Sequence, residues 1–552
     1  MTIKPLTLAL SVSPQLTEAD IAQAARDGIR AIIDNRPDGE EPGQVSADAM
    51  ERLAAAHGMA FAHVPVVPGK IGDEDVARMA DALSRLDAPV LAYCRTGTRS
   101  ASLWALSQAG ALPADTILRT ASDAGYDLTA LRPRLETTVA IPEGAGPSRA
   151  DVVIVGGGSA GLATAASLRE RNRSLDIVVI EPRTEHDYQP GWTMVGGGVF
   201  DAKDTRRPEA SVMPAGVRWI KGAVASFEPE RNTVTLEDGS TVGYRALVVA
   251  PGIALDWAGV DGLVETLGRN GVTSNYSYET APYTWELVRS LRGGTALFTQ
   301  PPMPIKCAGA PQKAMYLSCD HWQRQGVLKD IDVQFHNAGG VLFGVKEFVP
   351  PLMAYVERYG IDLQFESTLV AVDGSDRTAT FREKGGEITK SFDMIHVTPP
   401  QKAPAFIAHS PLTNDTGYVD VDQTTLQHIR YANVFGLGDG GSTPNAKTMA
   451  AARKQAPIVA ENLLSMLAGK APMALYDGYG SCPLTVERGK ILLAEFGYGG
   501  KLLPSFPKWI IEGTKPQRLS WLLKSEGLPW IYWNGMLKGR EWMAHPEHRQ
   551  AA

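Results

Sequence analysis

A glycine-rich turn between an apolar run and a stretch of helical character restricts the middle of this chain to one kind of fold. The run Val152–Val155 is predicted to be a buried strand, and residues 162–171 are predicted to be a helix. The spacing between them is Gly-x-Gly-x-x-Gly, and the turn and helix start are formed by Gly156, Gly158, Ser159, Ala160 and Gly161. Strand, turn and helix in this order are typical of a dinucleotide-binding βαβ unit.

The next predicted strand, Ile177–Ile180, delivers Glu181 twenty residues after Gly161. Glycines let the backbone approach a pyrophosphate, the helix N-terminus faces its charge, and a carboxylate at the second strand accepts the ribose hydroxyls. Because all these parts are present, we expect a nucleotide cofactor at this turn.

Two later strand-and-turn segments resemble the places where flavoproteins with two dinucleotide domains return their chain to FAD. They are Leu247–Gly252 and Asn433–Asp439. The resemblance implies FAD as the cofactor, with Asp439 near the ribityl and pyrophosphate groups and further contacts from Pro251, Gly252 and Gly438. Downstream, Lys447 is a candidate cation near the flavin pyrimidine, with a surface lysine as the alternative.

The second nucleotide-type domain, residues 281–395, lacks the features of a nicotinamide site. Its first strand, Ala296–Phe298, continues into Thr299–Pro304, which holds three prolines. Proline supplies no amide donor and no room for a pyrophosphate. We therefore expect a reductant smaller than NAD(P)H, and Cys307 lies just beyond this loop.

From about residue 151 to 545 the chain closely resembles type II sulfide:quinone oxidoreductases. The resemblance rests on Tyr188–Thr193, Ile305–Lys313, His396–Pro400, Tyr476–Pro483 and Tyr532–Asn534. It implies a monotopic membrane enzyme whose flavin takes two electrons from sulfide and passes them to quinone.

Cys307 is the candidate nucleophile. A cysteine reacts as the thiolate, and we expect Lys306 and Lys313 to lower its pKa if they point the same way. In the family a second redox cysteine follows the Asp of the Gly-Asp turn, but here that position is Gly440. Two other cysteines are poor substitutes, because Cys319 is predicted to be about two helical turns away and Cys482 to have a packing role.

Residues 1–136 are predicted to form a separate α/β domain around Cys94. This cysteine ends the apolar run Pro89–Tyr93 and opens a loop of spacing Cys-x4-Arg that ends at Arg99. The domain resembles a small phosphatase-like domain that is found fused to sulfide-detoxifying enzymes. The loop is one residue shorter than the Cys-x5-Arg of tyrosine phosphatases and resembles the loop of rhodaneses, which hold a persulfide. We expect its amides, Arg95 and Arg99 to bind an anion.

Composition excludes several classes of protein. A net charge of −7 gives no reason to expect a nucleic-acid partner, and four widely spaced cysteines argue against a disulfide scaffold or structural zinc. No signal peptide or spanning segment is recognised, which favours the cytoplasm. From Lys501 onward, eight Lys and Arg against four Glu are interleaved with five tryptophans. This pattern predicts peripheral contact with the inner membrane, with a core segment or a dimer interface as the alternative.

The predicted fold class is α/β: a phosphatase- or rhodanese-like domain, two Rossmann-like dinucleotide-binding domains and a C-terminal membrane-associating helical segment. Its boundaries are 1–136, a linker at 137–150, an FAD domain at 151–280 and 396–485, the second nucleotide-type domain at 281–395, and a membrane region at 486–552.

The predicted function is oxidation of sulfide, or of a low-molecular-weight thiol or persulfide, with electrons passing through FAD to quinone. The predicted catalytic residues are Cys307 and Lys313 in the flavin part and Cys94 and Arg99 in the N-terminal domain, which would handle the sulfane sulfur. Three alternatives stay open: a phosphatase-like hydrolase tethered to a flavoprotein, a non-catalytic sulfide sensor, and an NADH:quinone reductase. A homo-oligomer is also left open.

Overall fold

The computed structural model describes residues 3–7, 9–108, 114–136 and 148–549. Short apolar runs form its strands, and longer stretches form its helices. The strands are β1 Lys4–Pro5, β2 Leu10–Ser13, β3 Ala31–Asp34, β4 Ala60–His63, β5 Val90–Tyr93, β6 Ser148–Val155, β7 Ile177–Ile180, β8 Glu185–Asp187, β9 Arg206–Pro208, β10 Val217–Ile220, β11 Val224–Glu228, β12 Thr233–Leu236, β13 Thr241–Val249, β14 Ala254–Leu255, β15 Val272–Thr273, β16 Gly294–Gln300, β17 Ile331–Asn337, β18 Asp362–Phe365, β19 Thr368–Asp373, β20 Thr378–Glu383, β21 Gly386–Ser391, β22 Met394–His396, β23 Gln401–Lys402, β24 Val434–Gly436, β25 Ala474–Leu475, β26 Gly480–Glu487, β27 Lys490–Phe496 and β28 Glu547–His548.

The helices follow the same order. They are α1 Glu18–Arg26, α2 Ala47–Ala56, α3 Asp73–Arg85, α4 Thr98–Ser107, α5 Ala114–Asp123, α6 Arg132–Glu136, α7 Ser159–Arg171, α8 Trp192–Gly196, α9 Glu209–Val212, α10 Leu263–Thr266, α11 Ala281–Ser290, α12 Ala310–Gln325, α13 Val349–Tyr359, α14 Ala405–Ala408, α15 Met449–Leu467, α16 Arg518–Leu522 and α17 Leu528–Asn534. A π-helical turn, Leu523–Gly527, joins the last two.

The N-terminal domain is built on a five-stranded sheet of order β1-β2-β5-β3-β4. Four of its strands, β2, β5, β3 and β4, are parallel, as is typical of an α/β domain. Thr17 caps α1 with a reciprocal Thr17–Asp20 capping box. Parallel strands end at the same edge, so Asp34, His63 and Cys94 all follow or end strands at one side of the sheet.

The chain divides into two compact units. The first comprises the described parts of residues 1–153, 169–181 and 214–247, and the second comprises residues 154–168, 182–213 and the described part of 248–552. The six segments predicted from the sequence are finer than these units, and their boundaries stay predictions. Residues 137–147 of the predicted linker lie outside the described residues, and residues 148–150 belong to β6.

Two sheets that contain parallel strand pairs correspond to the predicted dinucleotide-type folds. One sheet has the order β10-β7-β6-β13-β12-β11, in which β7 pairs in parallel with β10. The other has the order β15-β22-β16-β17-β18, with every pair parallel. In the second arrangement, α12 packs through Met315, Cys319 and Trp322 into a hydrophobic core that also receives Cys482 and Leu484 of β26.

The C-terminal segment combines buried anchors with exposed apolar side chains. Tyr532 and Trp533 of α17 are buried, whereas Trp509 and Trp530 are 84% and 55% exposed. Leu519 and Leu522 of α16 are exposed as well. Among the residues that the structure describes, no helix has the length and apolarity needed to cross a bilayer.

Candidate active site

The glycines of the β6–α7 turn are required by close backbone contacts. Gly156 has a φ of +105°, and a Cβ there would lie 2.3 Å from the Ala250 carbonyl oxygen. A Cβ at Gly161 would lie 1.9 Å from the Gly156 oxygen. At Gly158, by contrast, no described atom outside its immediate chain neighbours lies within 4 Å of that position. The backbone at Gly158 therefore borders open space at the start of α7, where a pyrophosphate fits the helix terminus.

The three predicted FAD segments of the second unit come together at this turn. Gly438, with a φ of +70°, approaches Ala160 so closely that a Cβ there would be 2.9 Å from the alanine methyl group. Pro251 and Gly252 border the other side, since a Cβ at Gly440 would lie 2.7 Å from Pro251 Cδ and 3.2 Å from the Gly252 oxygen. Segments that are distant in the sequence thus border one backbone cradle at the start of α7, which we call the cofactor cradle.

The charged residues of the second unit at this cradle are Asp439, Lys447 and Lys306. Burial raises the pKa of the Asp439 carboxyl, and the ammonium groups of Lys447 and Lys306 oppose that rise. Lys447 Nζ donates to the carbonyl oxygens of Asp439 and Gly441, at 2.8 and 2.9 Å. Glu181 directly follows β7 in the first unit, where its carbonyl oxygen accepts a hydrogen bond from Trp219 Nε1. The residues present fit a dinucleotide cofactor.

Cys307 lies beside the segment that contains Asp439 and Lys447. Its φ of +48° is unusual for a residue with a side chain, and its N–H donates to the Lys447 carbonyl oxygen at 2.8 Å. Tyr276 donates its hydroxyl to the carbonyl oxygen of Lys306 at 3.1 Å. These bonds fix the thiol loop against the turn that the cofactor cradle shares.

The Cys307 sulfur has two polar neighbours. Lys313 Nζ lies 3.1 Å away and donates to it, and the Cys482 sulfur lies 3.6 Å away. A hydrogen bond from the Cys482 thiol and the charge of Lys313 hold the pKa of Cys307 well below its usual range, although burial opposes them. The same contact with Cys307, together with burial, raises the pKa of Cys482. These contacts favour the thiolate at Cys307 and the protonated thiol at Cys482.

Only one of the two lysines expected at Cys307 contacts it. Lys306 Nζ donates instead to Gln189 Oε1, and burial lowers its pKa to about 8. A third lysine, which sequence reasoning missed, is Lys524 in the π-helical turn. It donates to the Pro190 carbonyl oxygen at 2.9 Å, and burial together with the charge of Lys313 lowers its pKa to about 7. The π-helical turn that carries it is visible only in the structure, and such turns concentrate at functional sites.

Cys319, the remaining cysteine of the flavin part, does not belong to the pair formed by Cys307 and Cys482. Cys319 is fully buried in the hydrophobic core of α12, and burial raises its pKa beyond the range in which a thiol ionises. It is therefore an inert packing residue, in line with the sequence argument against it.

A buried polar chain ties the C-terminal segment to the cofactor turn. The Tyr532 hydroxyl lies 2.7 Å from Ser159 Oγ at the start of α7 and 2.5 Å from His186 Nε2. The other ring nitrogen of His186 lies 3.1 Å from a carboxylate oxygen of Glu209. The segment with the exposed tryptophans is thus anchored on the residues predicted to hold FAD.

The Cys94 loop has the geometry of an anion site, but its arginines have carboxylate partners. The Gly97 N–H donates to the buried Cys94 sulfur at 3.1 Å. Arg99 donates to Glu40 and to the Val66 carbonyl oxygen, both at 2.7 Å. Arg95 pairs with Glu41 at 2.9 Å. The two charges expected to bind an anion are therefore compensated by adjacent glutamates.

Two polar residues at the same edge of the sheet as Cys94 are engaged in structural bonds. Asp34 accepts a hydrogen bond from the Arg36 N–H at 2.8 Å, and burial raises its pKa. The ring of His63 lies 2.8 Å from the Arg36 carbonyl oxygen.

Comparisons with known proteins match the two parts of the chain that carry these sites. Residues 150–291 match the family described as pyridine nucleotide-disulphide oxidoreductase, and residues 2–111 match the phosphatase-like domain of beta-lactamase hydrolase-like protein. The chain is 43% identical over 392 residues to the mitochondrial sulfide:quinone oxidoreductase of Dictyostelium discoideum, across 70% of this chain and 86% of that protein. The beta-lactamase hydrolase-like protein of Xylella fastidiosa is 35% identical over 130 residues, which cover 23% of this chain and 30% of that protein.

A solved structure shows the same fold. The sulfide:quinone oxidoreductase of Aquifex aeolicus superposes with a TM-score of 0.60 at 20% identity, over 73% of this chain and 98% of that one. Fold and site together define an FAD-dependent oxidoreductase of the pyridine nucleotide-disulphide class. Within that class the chain belongs to the sulfide:quinone oxidoreductase family, and it carries a phosphatase-like domain ahead of the flavin part. The family assignment made from the sequence is confirmed.

Proposed function

We propose that the protein oxidises sulfide, or a low-molecular-weight thiol or persulfide, at Cys307 and passes the electrons through FAD to quinone. One observation carries the proposal. The Cys307 sulfur is paired with Lys313, and its backbone is hydrogen-bonded to Lys447, which in turn bonds the Asp439 carbonyl of the cofactor cradle. A nucleophilic thiolate is thereby fixed next to the residues that fit FAD.

The chemistry assigned to the chain's own residues is nucleophilic. Lys313 keeps Cys307 ionised, and the Tyr276 and Lys447 bonds keep its loop in a conformation that a free chain rarely adopts. Sulfide and a small thiol then combine as HS⁻ + RSH → RSS⁻ + 2H⁺ + 2e⁻. Bound FAD supplies the acceptor for this electron pair. Gly156, Gly158, Gly161, Ser159, Gly438 and Asp439 would hold it.

Peripheral contact with a membrane surface is part of the proposal. Trp509, Trp530 and Leu522 are exposed on the same C-terminal segment. Exposed indole and leucine side chains suit the water–lipid boundary. Tyr532 of that segment is hydrogen-bonded to Ser159. A membrane-borne quinone would then dock close to the cofactor cradle.

Anaerobic stopped-flow of the FAD-loaded protein tests this function. We expect sulfide to bleach the flavin absorbance within seconds, and quinone in anionic lipid vesicles to restore it. NADH is expected to bleach it at least ~100-fold more slowly, because the Thr299–Pro304 loop offers no amide-lined phosphate site. Rapid bleaching by NADH with none by sulfide would instead establish an NADH:quinone reductase.

For the N-terminal domain we propose transfer of sulfane sulfur at Cys94. Glu40 and Glu41 neutralise the two loop arginines, so the loop gains little from a phosphate dianion. The Gly97 amide still supports a monoanionic sulfur on Cys94. These contacts favour a persulfide over a phosphate ester.

We expect the Cys94 peptide to gain the mass of one sulfur atom during turnover with sulfide, as measured by mass spectrometry after alkylation. In Cys94→Ser this mass is absent, while bleaching of the flavin by sulfide continues at the wild-type rate. Hydrolysis of an aryl phosphate that Cys94→Ser abolishes would overturn the assignment and identify a phosphatase.

A further inference from the structure

The thiol that faces Cys307 comes from a distant strand, not from the Gly438–Gly440 turn. Cys482 lies in β26, whose eight residues are all buried, and its sulfur is 3.6 Å from that of Cys307. A disulfide bond is about 2.05 Å long, so rotation of the two side chains toward each other by about 1.5 Å in total closes the gap.

The loop that carries Cys307 is shaped around the Cys482 sulfur. Gly309 has an ordinary φ of −87°, so its backbone does not require glycine. A Cβ at this position would nevertheless lie 2.6 Å from Cys482 Sγ and 2.4 Å from Leu484 Cδ2. Glycine is needed here for space, and the space is taken by the second sulfur.

The position after Asp439 is closed to a cysteine. A Cβ at Gly440 would be 2.7 and 2.9 Å from the Cδ and Cγ atoms of Pro251, a rigid ring that cannot swing aside as a flexible chain does. A thiol cannot enter at 440 unless the Pro251–Gly252 turn moves. The redox partner of Cys307 must therefore come from elsewhere, and β26 supplies it.

Electrostatics give the two sulfurs different roles. Lys313 contacts Cys307 and holds its thiolate, while the Cys482 thiol keeps its proton and donates toward that thiolate. In thiol–disulfide exchange the sulfur with the lower pKa is the better leaving group. An incoming sulfide would thus attack the Cys482 sulfur and release Cys307.

We propose that Cys482 is a catalytic residue, the second redox-active thiol of this protein, and that it forms a reversible disulfide with Cys307. The proposal rests on the function proposed above. Closing the bond removes two electrons from the Cys307 thiolate and the Cys482 thiol and releases the single proton of Cys482, and bound FAD would accept the electrons. HS⁻ then cleaves the bond to give a persulfide on Cys482 and a thiolate on Cys307. A small thiol removes the outer sulfur as RSSH and restores the pair.

Disulfide mapping on the FAD-loaded full chain tests the pairing without depending on turnover. The protein is reduced with dithiothreitol, oxidised with diamide, denatured, alkylated and digested. We expect a linked peptide that joins Cys307 to Cys482 in the wild-type protein and its loss in Cys482→Ser, with Cys319 alkylated throughout. Oxidation of Cys307 that leaves Cys482 alkylated, or that links Cys307 to Cys94, would overturn the proposal.

Flavin reduction by sulfide is the second readout. In Cys482→Ser we expect the rate to fall by ~100-fold or more, with FAD content and melting temperature unchanged. Cys319→Ala is the matched control and is expected to keep the wild-type rate. Wild-type speed in Cys482→Ser, with Cys307→Ser inactive, would remove only the role of Cys482. Wild-type speed in Cys307→Ser would instead remove the proposed function itself.

Discussion

Replacing Cys307 by serine is expected to slow the reduction of the bound flavin by sulfide by ~1,000-fold or more at pH 7. A serine hydroxyl stays protonated at this pH, so Lys313 has no anion to hold and the nucleophile is lost. The measurement is anaerobic stopped-flow at the flavin absorbance band, with sulfide in excess.

Serine leaves the rest of the site intact. The N–H of residue 307 still donates to the Lys447 carbonyl oxygen, and the left-handed backbone carries a side chain of the same branching. FAD content should therefore stay at the wild-type level, and dithionite should bleach the flavin of both proteins at equal rates. Undiminished bleaching by sulfide in the serine variant would show that the thiol at 307 is not the reacting group.

Local patterns allowed much of the fold to be predicted. The strand Ile177–Ile180 has the predicted bounds, and the predicted strand Val152–Val155 forms the second half of β6. These elements depend on apolar runs and turn glycines, which are properties of neighbouring residues. The dinucleotide turn was predicted for the same reason.

Lys313 was predicted to act on Cys307 and lies 3.1 Å from its sulfur, but the neighbours that come from distant parts of the chain could not be predicted. Cys307 and Cys482 are 175 residues apart, and Lys524 reaches Pro190 across 334 residues. Cys482 was given a packing role because the family shares it without using it as a relay residue. That role stays a prediction, and the 3.6 Å distance from Cys307 is what the sequence could not supply. A one-residue shift of β26 would turn the Cys482 side chain to the other face, since successive strand residues face opposite sides.

Arg99 illustrates the same limit in the N-terminal domain. Its spacing from Cys94 indicated a charge at the anion loop, but its guanidinium donates to Glu40, which lies 59 residues earlier. The loop sequence itself gives no indication that Glu40 is the partner of Arg99. The proposal of sulfur transfer at Cys94 therefore depends more on the ion pairs with Glu40 and Glu41 than on the motif itself.

Replacing Lys313 by methionine is expected to change how the reactivity of Cys307 depends on pH. In the wild-type protein the Cys482 thiol and Lys313 hold the pKa of Cys307 well below the ordinary value of ~8.5, so alkylation by iodoacetamide should change less between pH 7 and 9 than alkylation of an ordinary cysteine. Lys524, whose pKa is lowered to about 7, loses its charge over this range. Lys313 is the cation that remains, and without it the rate should rise ~10-fold per pH unit up to the new pKa.

The free energy of unfolding should also depend on the ionisation of Cys307, and the direction of this dependence follows from its lowered pKa. Because Cys307 binds its proton less tightly in the folded protein than in the unfolded chain, its contribution to stability is present above the unfolded pKa and is lost as the pH falls through the folded one. The unfolding free energy of the wild-type protein should therefore rise with pH over that window, and Lys313→Met should flatten the rise. Lys313→Arg keeps the charge and should retain both behaviours, whereas flat alkylation in the methionine variant would assign the low pKa of Cys307 to Cys482 alone.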